Sequence, residues 1–170
     1  MSEGQVAEVF GKAVGNLFRG GPANVSWERA LERLEASDAG RVPGLLPHSA
    51  AQIVAHVQFW QAYLLEGIAG NDPATPEHAA GGWPATGGGK GEGWEGGDWE
   101  DLKTSFLRDT GRLRGHARDP EVVQTLDREG RPYAVALTNF AGHNLYHLGQ
   151  VVTVRQALGL WPPPGGGDTW

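Results

Sequence analysis

Four polar side chains follow one another at helical spacing near the C-terminal end of the 170-residue sequence. Asn139, His143, His147 and Gln150 are separated by four, four and three residues, which places all four on one face of an α-helix. Apolar residues border this face on both sides. The pattern therefore predicts a polar stripe that faces the interior of a helical protein.

A buried polar stripe needs partners, because each unsatisfied group costs about 1–3 kcal/mol. A metal ion would meet that need, since His143 and His147 form an i, i+4 pair that can chelate one ion from one helix face. Position 144 is asparagine, so the glutamate of an H-E-x-x-H motif is missing and a metalloprotease is not supported. One such pair also arises by chance, so further ligands must be sought.

His56 is the candidate for a third ligand. It lies in the middle of an otherwise apolar helical segment, between Val54-Ala55 and Val57. The alternative is a lone core histidine that is simply hydrogen-bonded. The sequence assigns His48 to a helix entry, His78 to a long loop and His116 to a helix C-terminus, where an imidazolium is favoured by the helix dipole.

Composition excludes several other kinds of site and partner. The chain has 14 basic and 20 acidic side chains, a net charge of −6 and no cysteine. Without a basic cluster we expect no nucleic-acid partner, and without cysteine any metal site must use His, Asp or Glu. No apolar run approaches the ~20 residues of a membrane span, and the N-terminus does not resemble a signal peptide. We therefore expect a cytoplasmic protein that does not bind membranes.

Apolar periodicity predicts an all-α protein. Ser49 and Gln52 form a capping box, Asp98 can cap another helix, and Pro132 suits a first helical position. The expected architecture is one domain over 1–170 with its core at about 23–163. It is an up-and-down four-helix bundle with an extra N-terminal helix. The predicted helices span about 4–18, 27–36, 50–69, 99–118 and 132–158.

A Gly- and Pro-rich stretch over about 71–97 separates two of these helices and contains Trp83 and Trp94. Such a long connection is unusual in a small domain. It is either a disordered insertion or a mobile lid whose tryptophans pack over a site. The glycine-rich tail over 165–170 is also expected to be mobile.

Three segments together resemble the DinB-like, or YfiT-like, superfamily of metal-dependent enzymes. They are the run from Leu46-Pro47-His48-Ser49 to His56-Val57, the pair Trp83-Pro84, and the run over 142–150 that reads as H-x-x-x-H-x-G-Q. The resemblance implies a four-helix bundle, often a homodimer, with a metal ion held by His56, His143 and His147. Relatives include thiol S-transferases that use bacillithiol or mycothiol, a maleylpyruvate isomerase and hydrolase-like proteins.

Three imidazole ligands leave coordination positions open, as in catalytic metal sites. Zn²⁺ or Ni²⁺ is favoured, Fe²⁺ or Mn²⁺ is compatible, and Mg²⁺ or Ca²⁺ is disfavoured. The first hypothesis is a metal-dependent transferase that binds a low-molecular-weight thiol, such as bacillithiol, as a metal-bound thiolate and transfers it to a small-molecule electrophile. Asn139 and Gln150 would orient ligands or substrate, or would be ordinary buried amides.

Three alternatives stay open at this point. The same site could activate water for hydrolysis. The protein could bind a metal without turnover, for instance in a stress response. It could also be a helical dimer without any metal.

Overall fold

The computed structural model describes residues 3–20, 23–84 and 97–166, and within these residues every regular element is helical. The all-α prediction is therefore confirmed for this part of the chain. None of the described helices is long and apolar enough to cross a membrane. Seven α-helices and one 3-10 turn are described: α1 Glu3–Arg19, α2 Trp27–Ala30, α3 Ala36–Ala39, α4 Ala50–Ile68, the 3-10 turn Ala79–Gly82, α5 Trp99–His116, α6 Pro120–Gln124 and α7 Tyr133–Ala157.

Four long helices contact one another around a shared interior. α4 packs against α5 and α7, and α1 packs against the same two helices. The sequence predicts α1 as an extra helix outside the main four, and the structure does not confirm this placement. Val14 and Phe18 bury the inner face of α1 beside Leu113 and Leu137, so α1 is itself one of the four long helices.

The second predicted helix, over 27–36, is interrupted. Ser26 caps α2, but Arg33 has a φ of 48° and the helical backbone stops before it. The guanidinium of Arg155 donates to the carbonyls of Ala30 (2.7 Å) and Glu32 (3.0 Å). Those carbonyls would accept from backbone amides in a continuing helix, so a side chain from α7 replaces one helical turn.

The helix termini follow the sequence more closely. Ser49 and Gln52 form the predicted capping box of α4, with hydrogen bonds of 3.2 and 2.8 Å. Asp98 caps α5 through two backbone amides. Pro132 precedes α7 instead of lying in its first turn, and α6 forms inside what the sequence predicts as a connector.

The buried core forms two clusters, each of which includes residues of both α4 and α7. Trp27 of α2 is fully buried with its ring edge against Phe106 of α5, at a centroid distance of 4.6 Å. Trp99 donates from its indole nitrogen to the carbonyl of Leu34 at 2.6 Å. These contacts anchor the segment around α2 to α5, which packs against α4, and α4 and α7 carry the site described next.

Candidate metal centre

Three histidines from two helices meet between α4 and α7. His143 and His147 lie one turn apart on α7, and His56 faces them from the middle of α4. His143 Nε2 lies 3.2 Å from His56 Nε2 and 3.0 Å from His147 Nε2. Their candidate ligand atoms all lie within 4.8 Å of one another. The structure thus brings together the three side chains that the sequence singles out, here called the histidine cluster.

Hydrogen bonds on the far side of two rings determine which nitrogens point inward as acceptors. His56 Nδ1 lies 2.7 Å from the carbonyl oxygen of Gly82, which can only accept, so Nδ1 carries the proton. His147 Nδ1 lies 2.7 Å from Gln150 Oε1, while Gln150 Nε2 donates to the hydroxyl of Tyr146 at 3.1 Å. Both neutral rings therefore turn an unprotonated Nε2 toward His143.

The histidine cluster consequently lacks hydrogen-bond donors. A neutral His143 has one proton, so it can donate from Nε2 to one neighbour at most, and its Nδ1 is buried without a hydrogen-bond partner. Whichever ring nitrogen of His143 carries the proton, at least one Nε2 lone pair at the centre of the cluster has no hydrogen-bond donor. A buried group in that condition costs about 1–3 kcal/mol, and a bound cation would remove the cost.

Burial keeps the rings neutral and so able to bind a cation. Loss of solvation lowers the pKa of His143 and of His147 to about 4, with a further contribution from the neighbouring imidazoles. Burial likewise lowers the pKa of His56, although its bond to Gly82 acts in the opposite direction. At neutral pH no proton competes strongly for the lone pairs.

The spacing of the nitrogens fits a tetrahedral transition metal. Imidazole ligands about 2.0–2.1 Å from such an ion lie about 3.3 Å from each other. The two observed separations, 3.0 and 3.2 Å, are within a few tenths of an ångström of that value. All three donors are nitrogen, which suits Zn²⁺, Ni²⁺, Fe²⁺ or Mn²⁺ and not the hard ions that require oxygen.

An aromatic stack backs the histidine on α4. The indole of Trp83 lies parallel to the His56 ring at 4.0 Å and 12°, and parallel to the His48 ring on its other face at 3.9 Å and 16°. Of the two lid tryptophans that the sequence suggests, Trp83 thus packs on the site. Trp94 lies outside the described residues.

The 3-10 turn Ala79–Gly82 brings Trp83 and the Gly82 carbonyl to His56. Gly82 approaches Trp60 so closely that a Cβ at this position would lie 2.7 Å from the indole nitrogen. Residues 71–84 are therefore not a structureless loop, because their last part packs on α4. No role at the site was predicted for His48, whose only signal in the sequence is its place just before the capping residue Ser49.

A cavity of about 580 Å³ opens beside the histidine cluster, and we call it the site cavity. Among the described residues that line it there is no Asp, Glu, Lys or Arg. Asn139 lies on its exposed rim, and no hydrogen bond joins it to the histidines within the described structure. Gln150 does contact His147, so the two amides that the sequence groups together differ in position. The lining residues are His56, Trp60, Tyr63, Leu64, Trp83, Ala136, Asn139, Phe140, His143 and His147.

The sequence model of the DinB superfamily matches residues 25–151. This range covers more than half of the chain and contains His56, His143 and His147. The protein belongs to the DinB superfamily. No curated protein and no solved structure matches the chain.

Proposed function

We propose that His56, His143 and His147 bind one divalent transition metal ion, with Zn²⁺ or Ni²⁺ favoured over Fe²⁺ or Mn²⁺. The observation that carries this proposal is the convergence of Nε2 atoms that lack a donor, at separations of 3.0 and 3.2 Å. Three protein ligands leave a position for a further ligand, as catalytic sites do. Membership of the DinB superfamily supports the same assignment.

We further propose that the protein is a metal-dependent transferase acting on a low-molecular-weight thiol. The ion would lower the pKa of a thiol bound to it and so supply a nucleophile at neutral pH. This suits a site cavity whose described lining holds no carboxylate to act as a general base. An up-and-down bundle, a homodimer and a cytoplasmic location stay predictions of the sequence and the family.

In this proposal, neighbouring residues orient the histidine rings, cover His56 and form the wall of the site cavity. Gly82 and Gln150 accept hydrogen bonds from the outer nitrogens of His56 and His147, which fixes the orientation of both rings. Trp83 covers one face of His56 and keeps water from it. Phe140 lies 5.5 Å from His143, centroid to centroid, and forms part of the apolar wall on which a substrate would rest.

Cobalt substitution tests the thiol proposal by spectroscopy. Metal-free protein is loaded with Co²⁺, and bacillithiol or cysteine is then titrated in. A new near-ultraviolet charge-transfer band is expected, because a sulfur–cobalt bond gives one, and His143→Ala protein should show none. Stoichiometric Co²⁺ without such a band would overturn the thiol proposal and favour hydrolysis, or metal binding without turnover. A failure to bind Co²⁺ would overturn the metal site itself.

A further inference from the structure

The site cavity has the size and position of a substrate pocket. Its volume of about 580 Å³ lies within the range of small-molecule sites, roughly 300–1,000 Å³. His56, His143 and His147 form part of its wall, so a molecule bound there touches the open side of the histidine cluster. The chemistry of the remaining wall then determines which molecules fit.

That wall is aromatic and uncharged within the described residues. Trp60 and Tyr63 of α4 meet edge to face at 5.4 Å, and Phe140 of α7 and Trp83 complete the aromatic lining. Aromatic side chains favour other rings through offset and edge-to-face contacts. A charged group would lose its hydration here without gaining a charged partner, which is costly.

A second cavity, next to Tyr63, is lined by charged side chains, unlike the site cavity. This neighbouring cavity, of about 470 Å³, shares Tyr63, Leu64 and Ala136 with the site cavity. It also contains five charged side chains, so charge is abundant only a short distance from the histidines. The five are Asp72, Asp127, Arg128, Glu129 and Arg131.

Those charged side chains form ion pairs with one another, and one of them also holds Tyr63 between the two cavities. Arg128 pairs with Asp72 and also donates to the hydroxyls of Tyr63 at 3.0 Å and Thr75 at 2.7 Å. Arg131 pairs with both Asp127 and Glu129. The Tyr63 ring is thereby fixed between the two cavities, and the charged side chains stay on its far side.

We propose that the substrate places an uncharged, flat apolar group, best an aromatic ring, in the site cavity against Trp60, Tyr63 and Phe140. The inference rests on the proposed function in that the reacting end of this molecule is taken to face the histidine cluster. No cationic side chain is among the described residues that line this cavity, so the metal ion would be the positive charge offered to a substrate anion there. The acceptor class is therefore an apolar electrophile whose ring lies away from the metal.

Binding to metal-free protein tests this proposal separately from the metal site. The probes are 2-naphthalenemethanol and 2-naphthalenesulfonate, which share a ring system and differ in charge, with affinities measured by isothermal titration calorimetry. The neutral probe should bind at least about tenfold more tightly, because only the sulfonate must lose its hydration. Its binding should also shift the His143 and His147 ring resonances, which places the probe in the site cavity.

A charge introduced at the rim gives a matched pair of variants. Asn139 and Gln156 are both exposed on α7, but only Asn139 lines the site cavity. Asn139→Lys should reduce the preference for the neutral probe at least about fivefold by supplying a partner for the sulfonate, whereas Gln156→Lys should leave it unchanged. Equal affinity for the two probes, no shift of the histidine resonances, or equal effects of both lysines would overturn the inference. Because no metal is present, a failed metal site would not alter these results.

Discussion

Two polar clusters include a residue of α4 and differ in how far hydrogen bonds satisfy their buried central groups. Asp109 of α5 has a side chain only 5% exposed, yet its carboxylate accepts hydrogen bonds from Gln58 at 2.8 Å, Arg108 at 3.0 Å and Arg112 at 3.3 Å. We call these four residues the Asp109 cluster. In the histidine cluster, ring nitrogens that accept hydrogen bonds face one another, and too few N–H donors are present to satisfy them.

The difference distinguishes a structural cluster from the proposed metal-binding site. Burial by itself would raise the pKa of Asp109, but the bonds from Arg108 and Gln58 outweigh burial and hold it below the ordinary value. The Asp109 carboxylate is therefore satisfied within the chain, although Gln58 Oε1 is buried without a hydrogen-bond partner. In the histidine cluster a bound cation would supply the partner that the ring nitrogens lack, which is the physical basis of the proposed metal site.

The largest expected effect comes from removing a central ligand. His143→Ala should weaken Zn²⁺ binding at least about hundredfold, since two imidazoles then remain. Wild-type protein should gain about 2.7 kcal/mol of stability when free Zn²⁺ is one hundred times its Kd, and the variant should gain at most about 0.4 kcal/mol at that concentration. Urea unfolding with and without Zn²⁺ measures this. His116→Ala, on α5 and outside the histidine cluster, is the control and should behave as wild type.

Breaking the Asp109 cluster should affect stability and leave the metal site intact. Asp109→Ala leaves the Gln58 amide without its acceptor and should lower the free energy of unfolding by about 1–3 kcal/mol. Zn²⁺ affinity, measured by competition with a chromophoric chelator, should change less than about twofold. A comparable loss of metal affinity would show that the two clusters are coupled and that the comparison above is wrong.

Substituting the residues that orient the histidine rings should have intermediate effects on metal affinity. Gly82→Ala puts a Cβ 2.7 Å from the Trp60 nitrogen, so the carbonyl that holds His56 must move, and Zn²⁺ binding should weaken about tenfold. Gln150→Ala removes the acceptor for His147 and should have an effect of similar size. Gly111→Ala is the matched control, since nothing lies within 4 Å of its added Cβ. That control should keep full affinity and gain up to about 1 kcal/mol of stability.

The smallest expected effect is a difference in pH dependence between the two clusters in metal-free protein. The folded-state pKa of His143 is lowered to about 4, so its neutral ring favours folding fully above about pH 6.5. That contribution is lost as pH falls toward 4. The pKa of Asp109 is also lowered, so its contribution is lost only below its unfolded value of about 3.9.

Urea unfolding at several pH values separates these two contributions. His143→Gln should flatten the decline of stability between about pH 6.5 and 4, and Asp109→Asn should flatten the decline below about pH 4. An unchanged slope in the His143→Gln protein would mean that the ring is not held neutral by burial.

Local patterns in the sequence predicted the helices and the ligand candidates. The spacing of His143, His147 and Gln150 placed all three on one helix face, and the apolar surroundings of His56 indicated that it points inward. The capping box at Ser49 was also predicted correctly from the sequence. Each of these features depends on residues within a few positions of one another.

Features created by distant residues could not be predicted in this way. Arg155 interrupts the second predicted helix through carbonyls 125 and 123 positions away along the chain. The stack of His48 and His56 on Trp83 depends on the path of the 3-10 turn, and no periodicity in the sequence encodes that path. The contrast between the uncharged site cavity and its charged neighbour likewise appears only when α4 and α7 are packed together.

Zinc K-edge X-ray absorption on protein loaded with one equivalent of Zn²⁺ tests the metal centre most directly. We expect one tightly held ion per chain with about three imidazole nitrogens at about 2.0–2.1 Å. Loss of imidazole scattering is expected in His143→Ala protein but not in the His116→Ala control. Substoichiometric zinc, or a bound ion surrounded mainly by oxygen with fewer than two imidazoles, would contradict it.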